Sequence, residues 1–144
     1  MPNRSIRSVI QDQRVLSAPA STSVSDAAHI MKRNRIGAIM VVEGEQLVGI
    51  FTERDAVFRV LAEGRDATRT NLGDVMTAHP HSIAPDRPVG HALLMMYENG
   101  YRHVPVVENG RPVGMVSARD ALGPELQQFQ SEMERQEHIK EILG

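Results

Sequence analysis

The chain contains two copies of one sequence unit, and this duplication constrains the fold more than any other feature. When the sequence is shifted by 65 residues, positions 24–57 align with positions 89–122 without a gap, and 12 of these 34 positions are identical. Average residue frequencies of roughly 6% would give about two matches by chance. A copy of about 50 residues is too small to bury a sheet of its own. We therefore expect the two copies to pack together.

Each copy shows the order strand, helix, strand, strand, helix. In the first copy, Ser23 and Asp26 form a capping-box pattern, and apolar residues then recur at helical spacing. Two β-branched runs, at 36–42 and 48–51, predict strands joined by a short turn. The second copy has Asn109-Gly110 at this turn, a strong hairpin signal. The predicted class is α/β, with two β-α-β-β-α repeats packed in pseudo-twofold symmetry.

The repeats are assigned to residues 14–72 and 73–124, which leaves the two ends. Residues 1–13 are polar and mixed in sign, which predicts a poorly ordered N-terminal arm. Residues 125–144 alternate apolar and charged side chains and predict an amphipathic C-terminal helix. Leu122, Phe129, Gln136 and Leu143 fall at seven-residue steps, so this helix either packs on its own domain or pairs with a second subunit.

Composition excludes several classes of protein. Hydrophobic residues make up 41% of the chain, enough for a folded core. A net charge of −2, scattered basic residues and 3% aromatics argue against nucleic-acid binding. The absence of Cys excludes disulfides, thiolate metal sites and thiol catalysis. No signal peptide is recognisable and no apolar run approaches the ~20 residues that cross a bilayer, so we expect a soluble cytoplasmic protein without membrane contact.

The sequence shows no catalytic or metal-binding pattern. It contains no nucleophile elbow, phosphate-binding Walker loop or dinucleotide glycine fingerprint. His79, His81, His91 and His103 could suggest a metal site, but no carboxylate or Cys lies at ligand spacing. We therefore expect neither an enzyme nor a metal site.

Two corresponding heptapeptides carry side chains that could bind a ligand. They are Gly-Ile-Phe-Thr-Glu-Arg-Asp at 49–55 and Gly-Met-Val-Ser-Ala-Arg-Asp at 114–120. Their hydroxyl and carboxylate residues fit helix-capping boxes. The same atoms could also bind a nucleotide, because a carboxylate accepts both hydroxyls of a ribose and an Arg at a helix start attracts phosphate. The two interpretations, cap and ligand site, remain open at this stage.

These heptapeptides and three further segments resemble the CBS domain, named for cystathionine β-synthase. The segments are Asp-Val-Met-Thr at 74–77, Ser-Ile-Ala-Pro-Asp at 82–86 and Tyr-Arg-His-Val-Pro-Val-Val at 101–107. Because the first copy carries matching marks, the chain resembles a tandem CBS pair, or Bateman module. The resemblance implies two clefts between the repeats that hold adenine nucleotides or related adenosyl ligands. It also implies a homodimer.

The resemblance assigns residues to each cleft. One cleft is predicted to use Ser17, Ile36, Gly37, Arg102, His103, Met115, Ser117, Arg119 and Asp120. The second is predicted to use Ser82, Tyr101, Ala38, Ile50, Thr52, Arg54 and Asp55, with Gly37 and Arg102 shared. The first copy departs from the family pattern, since Gly37-Ala38 replace the basic Arg102-His103 and Met40 replaces Pro105. We therefore expect the Asp120 cleft to bind the more phosphorylated ligand, and more tightly.

The function predicted from these observations is a non-catalytic sensor. It requires no cofactor, binds AMP, ADP, ATP or a related adenosyl ligand between the repeats, and signals to an unidentified protein partner through a conformational change. The alternative is an interaction or dimerisation module that works without ligand.

Overall fold

The computed structural model describes residues 4–121, 123 and 131–139. The named helices are α1 (Ile6–Ile10), α2 (Val24–Asn34), α3 (Glu53–Asp55), α4 (Leu72–Val75), α5 (Val89–Asn99) and α6 (Ala118–Ala121), and α3 continues as a π-helical segment over Ala56–Leu61. The strands are β1 (Ser17–Pro19), β2 (Ala38–Glu43), β3 (Gln46–Thr52), β4 (Thr77–Ala78), β5 (His103–Glu108) and β6 (Arg111–Ser117). The strands form a sheet of order β1-β2-β3-β4 and a second sheet of β5 and β6.

The first repeat is built around the β2–β3 hairpin. β1 pairs with β2 in parallel, and β4, which follows the repeat, pairs with β3 in antiparallel fashion. α2 buries Val24, Ala27 and Met31, whose spacing places them on one helical face. They pack into a core with Ile39 and Phe51.

The second repeat reproduces this order, which confirms the predicted α/β fold with two repeats. α5 buries its apolar face against the β5–β6 hairpin. The counterpart of β1 is shortened to one parallel bridge between Ile83 and Val106. Ile83 donates its N–H to the Pro105 carbonyl at 3.0 Å and accepts from the Val107 N–H at 2.9 Å.

The two repeats contact each other at their hairpin turns. Leu47 donates its N–H to the carbonyl of Gly110 at 3.1 Å. Arg111 forms an ion pair with Glu45 at 2.8 Å, between side chains that are both well exposed. Such an exposed pair contributes about 1 kcal/mol at most. Each repeat has its own apolar core, so the expectation that one copy cannot bury its own sheet is not met.

The N-terminal segment differs from the expected poorly ordered arm. Helix α1 buries Ile6 and Ile10, which lie four residues apart and pack on the core of the second repeat. The backbone joins the same repeat, because Ile6 donates to the Arg87 carbonyl and Val89 donates to the Arg4 carbonyl. The prediction of poor order is therefore wrong for residues 4–13. The segment is polar overall, and its composition therefore does not reveal the one apolar face formed by Ile6 and Ile10.

Residues 131–139 are helical and exposed along their length, which confirms a helix near the C-terminus. Leu122, Phe129 and Leu143, three of the four residues at seven-residue steps, lie outside the described residues. In the described part of the chain, no helix has both the length and the hydropathy needed to span a membrane.

Candidate functional site

A cavity of about 600 Å³ lies between the two repeats, and both repeats contribute to its walls. Of the nine residues predicted for the Asp120 cleft, seven line it: Ile36, Gly37, His103, Met115, Ser117, Arg119 and Asp120. The remaining lining residues were not predicted: Gln13, Arg14, Val15, Leu16, Asn34, Arg35, Met40, Glu53 and Gly114. The structure thus places most of the predicted residues around one space, while their role in binding stays a prediction.

Ser17 and Arg102 are the two predicted residues that do not line this cavity. Ser17 is exposed on β1, where it pairs with Met40. Arg102 is exposed just before β5, and its carbonyl accepts the Ala118 N–H at 2.9 Å. The arginines that line the cavity are the predicted Arg119 and two that were not predicted, Arg14 and Arg35.

The carboxylate of Asp120 remains available at the cavity wall. Ser117 accepts the Asp120 N–H on its hydroxyl at 3.0 Å, which caps the start of α6. Among the described residues, the Asp120 carboxylate has no hydrogen bond or ion pair, and the residue is exposed. Here the capping hydroxyl and a free carboxylate coexist, so the cap interpretation does not exclude a ligand.

In the first repeat, the corresponding residues Thr52 and Asp55 form hydrogen bonds with each other. Thr52 accepts the Asp55 N–H at 3.2 Å, and the Asp55 carboxylate accepts the Thr52 N–H at 3.0 Å. The other oxygen of Asp55 lies 3.6 Å from Nε of Arg59. Asp55 is also buried, so the structure favours the capping interpretation for this copy.

The residues predicted for the second cleft do not line this cavity, except the shared Gly37. Ala38 and Ile50 are buried in the first sheet. Tyr101 places its hydroxyl 3.0 Å from Nδ1 of His81, and Arg54 lies over the ring of Phe58 at 5.6 Å. A second cavity, of about 370 Å³, is lined by none of the predicted residues; Phe58, Arg59, Glu63, Arg65, Asp74 and Val75 line it.

Gly37 allows two ionisable side chains from different repeats to approach each other. A Cβ atom at this position would lie 2.6 Å from Oε1 of Glu53 and 3.2 Å from Nε2 of His103. Burial lowers the pKa of His103 from its usual value, while the Glu53 and Asp120 carboxylates oppose this and Arg102 adds to it. His103 is therefore mainly neutral at pH 7, and it offers a hydrogen bond rather than a full positive charge.

Gln13 completes one wall of the cavity, although sequence reasoning placed it in a disordered arm. Its side-chain amide donates to the Met115 carbonyl at 2.8 Å and accepts the Met115 N–H at 3.0 Å. In the first repeat, the backbone of β4 covers the equivalent edge of β3. One edge is thus covered by a strand and the other by a side chain. Because the two repeats differ here, aligning their sequences does not indicate a role for Gln13.

The described residues contain no group of three or more His, Cys, Asp or Glu side chains placed to hold a metal ion. The four histidines considered from the sequence are therefore not gathered at one point.

Comparison with known proteins gives consistent matches along the chain. The family model of the CBS domain matches twice, over residues 6–62 and 72–123. The mitochondrial CBS domain-containing protein CBSX3 of Arabidopsis thaliana is 35% identical over 118 residues, which cover 78% of this chain. The chain spans 57% of the length of that curated relative.

Solved structures agree with the fold. A CBS-domain containing protein of Agrobacterium tumefaciens is 26% identical, with a TM-score of 0.77 and coverage of 85% of this chain and 99% of the other. A CBS domain protein of Pyrobaculum aerophilum, solved in complex with AMP, is 25% identical, with a TM-score of 0.74 and coverage of 81% and 89%.

Proposed function

Since the chain belongs to the CBS-domain family, as a tandem pair of CBS domains, we propose that it is a non-catalytic regulatory module that binds an adenine nucleotide between its repeats. The observation that carries the proposal is the cavity of about 600 Å³ with the unengaged Asp120 carboxylate at its wall. This volume falls in the range of small-molecule sites, about 300–1,000 Å³. The AMP complex of the Pyrobaculum protein supports the choice of ligand class.

The lining residues divide by chemistry into parts suited to a nucleotide. Ile36 and Met115 provide apolar surface for a purine ring. The Asp120 carboxylate can accept the two hydroxyls of a ribose. Three arginines in the lining, Arg14, Arg35 and Arg119, can supply positive charge for phosphate. AMP, ADP, ATP and related adenosyl ligands all contain the purine ring and the ribose.

Regulation follows from the position of the cavity. Because both repeats contribute walls, a bound ligand contacts both and stabilises one arrangement of the pair relative to others. A partner protein that prefers this arrangement would then bind more tightly.

A thermal-unfolding panel tests this function directly. AMP, ADP, ATP, NAD and S-adenosylmethionine are each added to the protein, and Asp120→Ala is measured beside it as the matched control. A ligand at 100 times its dissociation constant adds about 2.7 kcal/mol of stability, a rise of several degrees for a domain of this size. We expect a rise with at least one adenine nucleotide that is reduced in the variant. No rise with any ligand would exclude the proposal.

A ligand-independent interaction module is the second candidate, and exposed apolar side chains favour it. Val57, Phe58 and Leu61 on the π-helical segment, and Leu94 and Tyr97 on α5, are all largely exposed. Clusters of exposed apolar side chains mark protein interfaces in many soluble proteins. We propose that these exposed side chains contribute to a homodimer, with or without a bound ligand. Light scattering without ligand measures the dimer, and the thermal panel distinguishes the two functions.

A further inference from the structure

Arg35 has a backbone conformation that residues with a side chain rarely adopt. It ends α2 with φ 53° and ψ 44°, in the left-handed region. In the second repeat, Gly100 occupies the corresponding position and ends α5 with φ 74° and ψ 19°. Glycine is the usual residue at such a helix end, because a Cβ atom strains the left-handed conformation. One repeat thus has the ordinary residue and the other has a strained arginine.

The turn itself does not require the arginine side chain. The Arg35 N–H donates to the carbonyls of Met31 and Lys32, and the Ile36 N–H donates to the Met31 carbonyl at 3.0 Å. Gly100 likewise donates its N–H to the carbonyl of Met96 at 2.8 Å. These bonds use backbone atoms alone, so glycine could end α2 as it ends α5.

Arg35 is one of the residues that line the cavity between the repeats. The residue is exposed, and its guanidinium has no ion pair or hydrogen bond with any residue that the structure describes. Arg102, which the sequence predicted for this purpose, lies outside the lining. Arg14 and Arg119 also line the cavity, but of these three arginines Arg35 is the one whose backbone lies in the left-handed region.

We propose that Arg35 binds the phosphate of the nucleotide in this cavity and that the strained helix end is retained for this contact. The inference rests on the proposed function and narrows it, since it selects phosphorylated adenosine ligands over adenosine itself. A guanidinium donates two parallel hydrogen bonds to a phosphate, a geometry that lysine does not reproduce. Strained residues at ligand sites are a recurrent feature of proteins.

The test uses Arg35→Gly, which removes the charge and the strain together. Isothermal titration measures AMP and adenosine against the wild type, Arg35→Gly and the control Arg102→Ala. We expect Arg35→Gly to weaken AMP binding by roughly 10–100-fold and to leave adenosine affinity unchanged. Its melting temperature should equal or exceed that of the wild type. Arg102→Ala should bind AMP with nearly wild-type affinity.

The outcomes separate this inference from the proposed function. Unchanged AMP affinity in Arg35→Gly would overturn the role of Arg35 alone, and so would an equal loss of AMP and adenosine, which indicates a distorted cavity. A wild-type protein that binds neither ligand would overturn both. Should the glycine variant fail to fold, Arg35→Asn repeats the comparison, because asparagine tolerates the left-handed region without a charge.

Discussion

Asp55 and Asp120 occupy corresponding positions in the two repeats, but only Asp120 has a free carboxylate. Asp55 accepts the N–H of its own helix cap and lies 3.6 Å from Arg59. The residue that corresponds to Arg59 in the second repeat is Pro124, which has no charge. One repeat thus uses its carboxylate to begin a helix, and the other presents it at the cavity wall.

This difference predicts opposite effects of the same substitution. Asp120→Ala should lower nucleotide affinity by roughly 10–100-fold with little effect on stability, because its carboxylate has no partner among the described residues. Asp55→Ala should leave affinity unchanged and cost about 0.5–2 kcal/mol of stability through the lost cap. Calorimetric titration and thermal unfolding of both variants measure the two effects. Equal losses of affinity, or the reverse order, would contradict the prediction.

The packing of α1 predicts that the N-terminal segment is needed for stability. Ile6 is fully buried in the core of the second repeat. Ile6→Ala should therefore lower the free energy of unfolding by about 2–5 kcal/mol, measured by urea denaturation. Arg7→Ala is the matched control from the same helix, since it removes only an exposed ion pair with Glu108 and should cost less than about 1 kcal/mol. An Ile6→Ala protein as stable as this control would show that α1 is dispensable.

His103 predicts a dependence of stability on pH. Burial lowers its pKa in the folded protein below the usual 6.5, against the opposing carboxylates of Glu53 and Asp120 and with a contribution from Arg102. The unfolded chain therefore takes up the proton first as pH falls, and the folded state loses stability below about pH 6.5. Melting temperatures of the wild type and His103→Gln between pH 8 and 5.5 should show a smaller decrease in the variant. Parallel curves would exclude this role.

Oligomeric state gives a further test. Removal of residues 127–144 should lower the mass measured by light scattering or loosen the dimer, because the segment carries apolar residues such as Phe129, Met133 and Ile139 that favour pairing between helices. Leu61→Glu, on the exposed apolar surface of the π-helical segment, is a useful comparison. If only Leu61→Glu disrupts the dimer, the C-terminal helix packs within its own subunit. If neither changes the mass, the proposed dimer surface is wrong.

The repeat order was predictable because hydrophobic periodicity is a local property that the 65-residue shift shows twice. Helix α1 was not, since its five residues depend on tertiary packing of Ile6 and Ile10 for stability. That Arg35 lines the cavity and Arg102 does not was also not predictable, for a similar reason. Which residue borders a cleft depends on how a helix ends and how strands pair, and the residue pattern indicates neither clearly.

The bond between Gln13 and Met115 also affects how the protein avoids aggregation. β6 lies at the edge of its sheet, and an open edge can pair with a strand of another molecule. The Gln13 amide occupies both backbone groups of Met115, and a side chain offers no further backbone donors to continue the ladder. Ile10 packs against Gly114 on the same edge. The N-terminal segment thus blocks this edge to strand addition, and its loss would expose a template for intermolecular β-sheet growth.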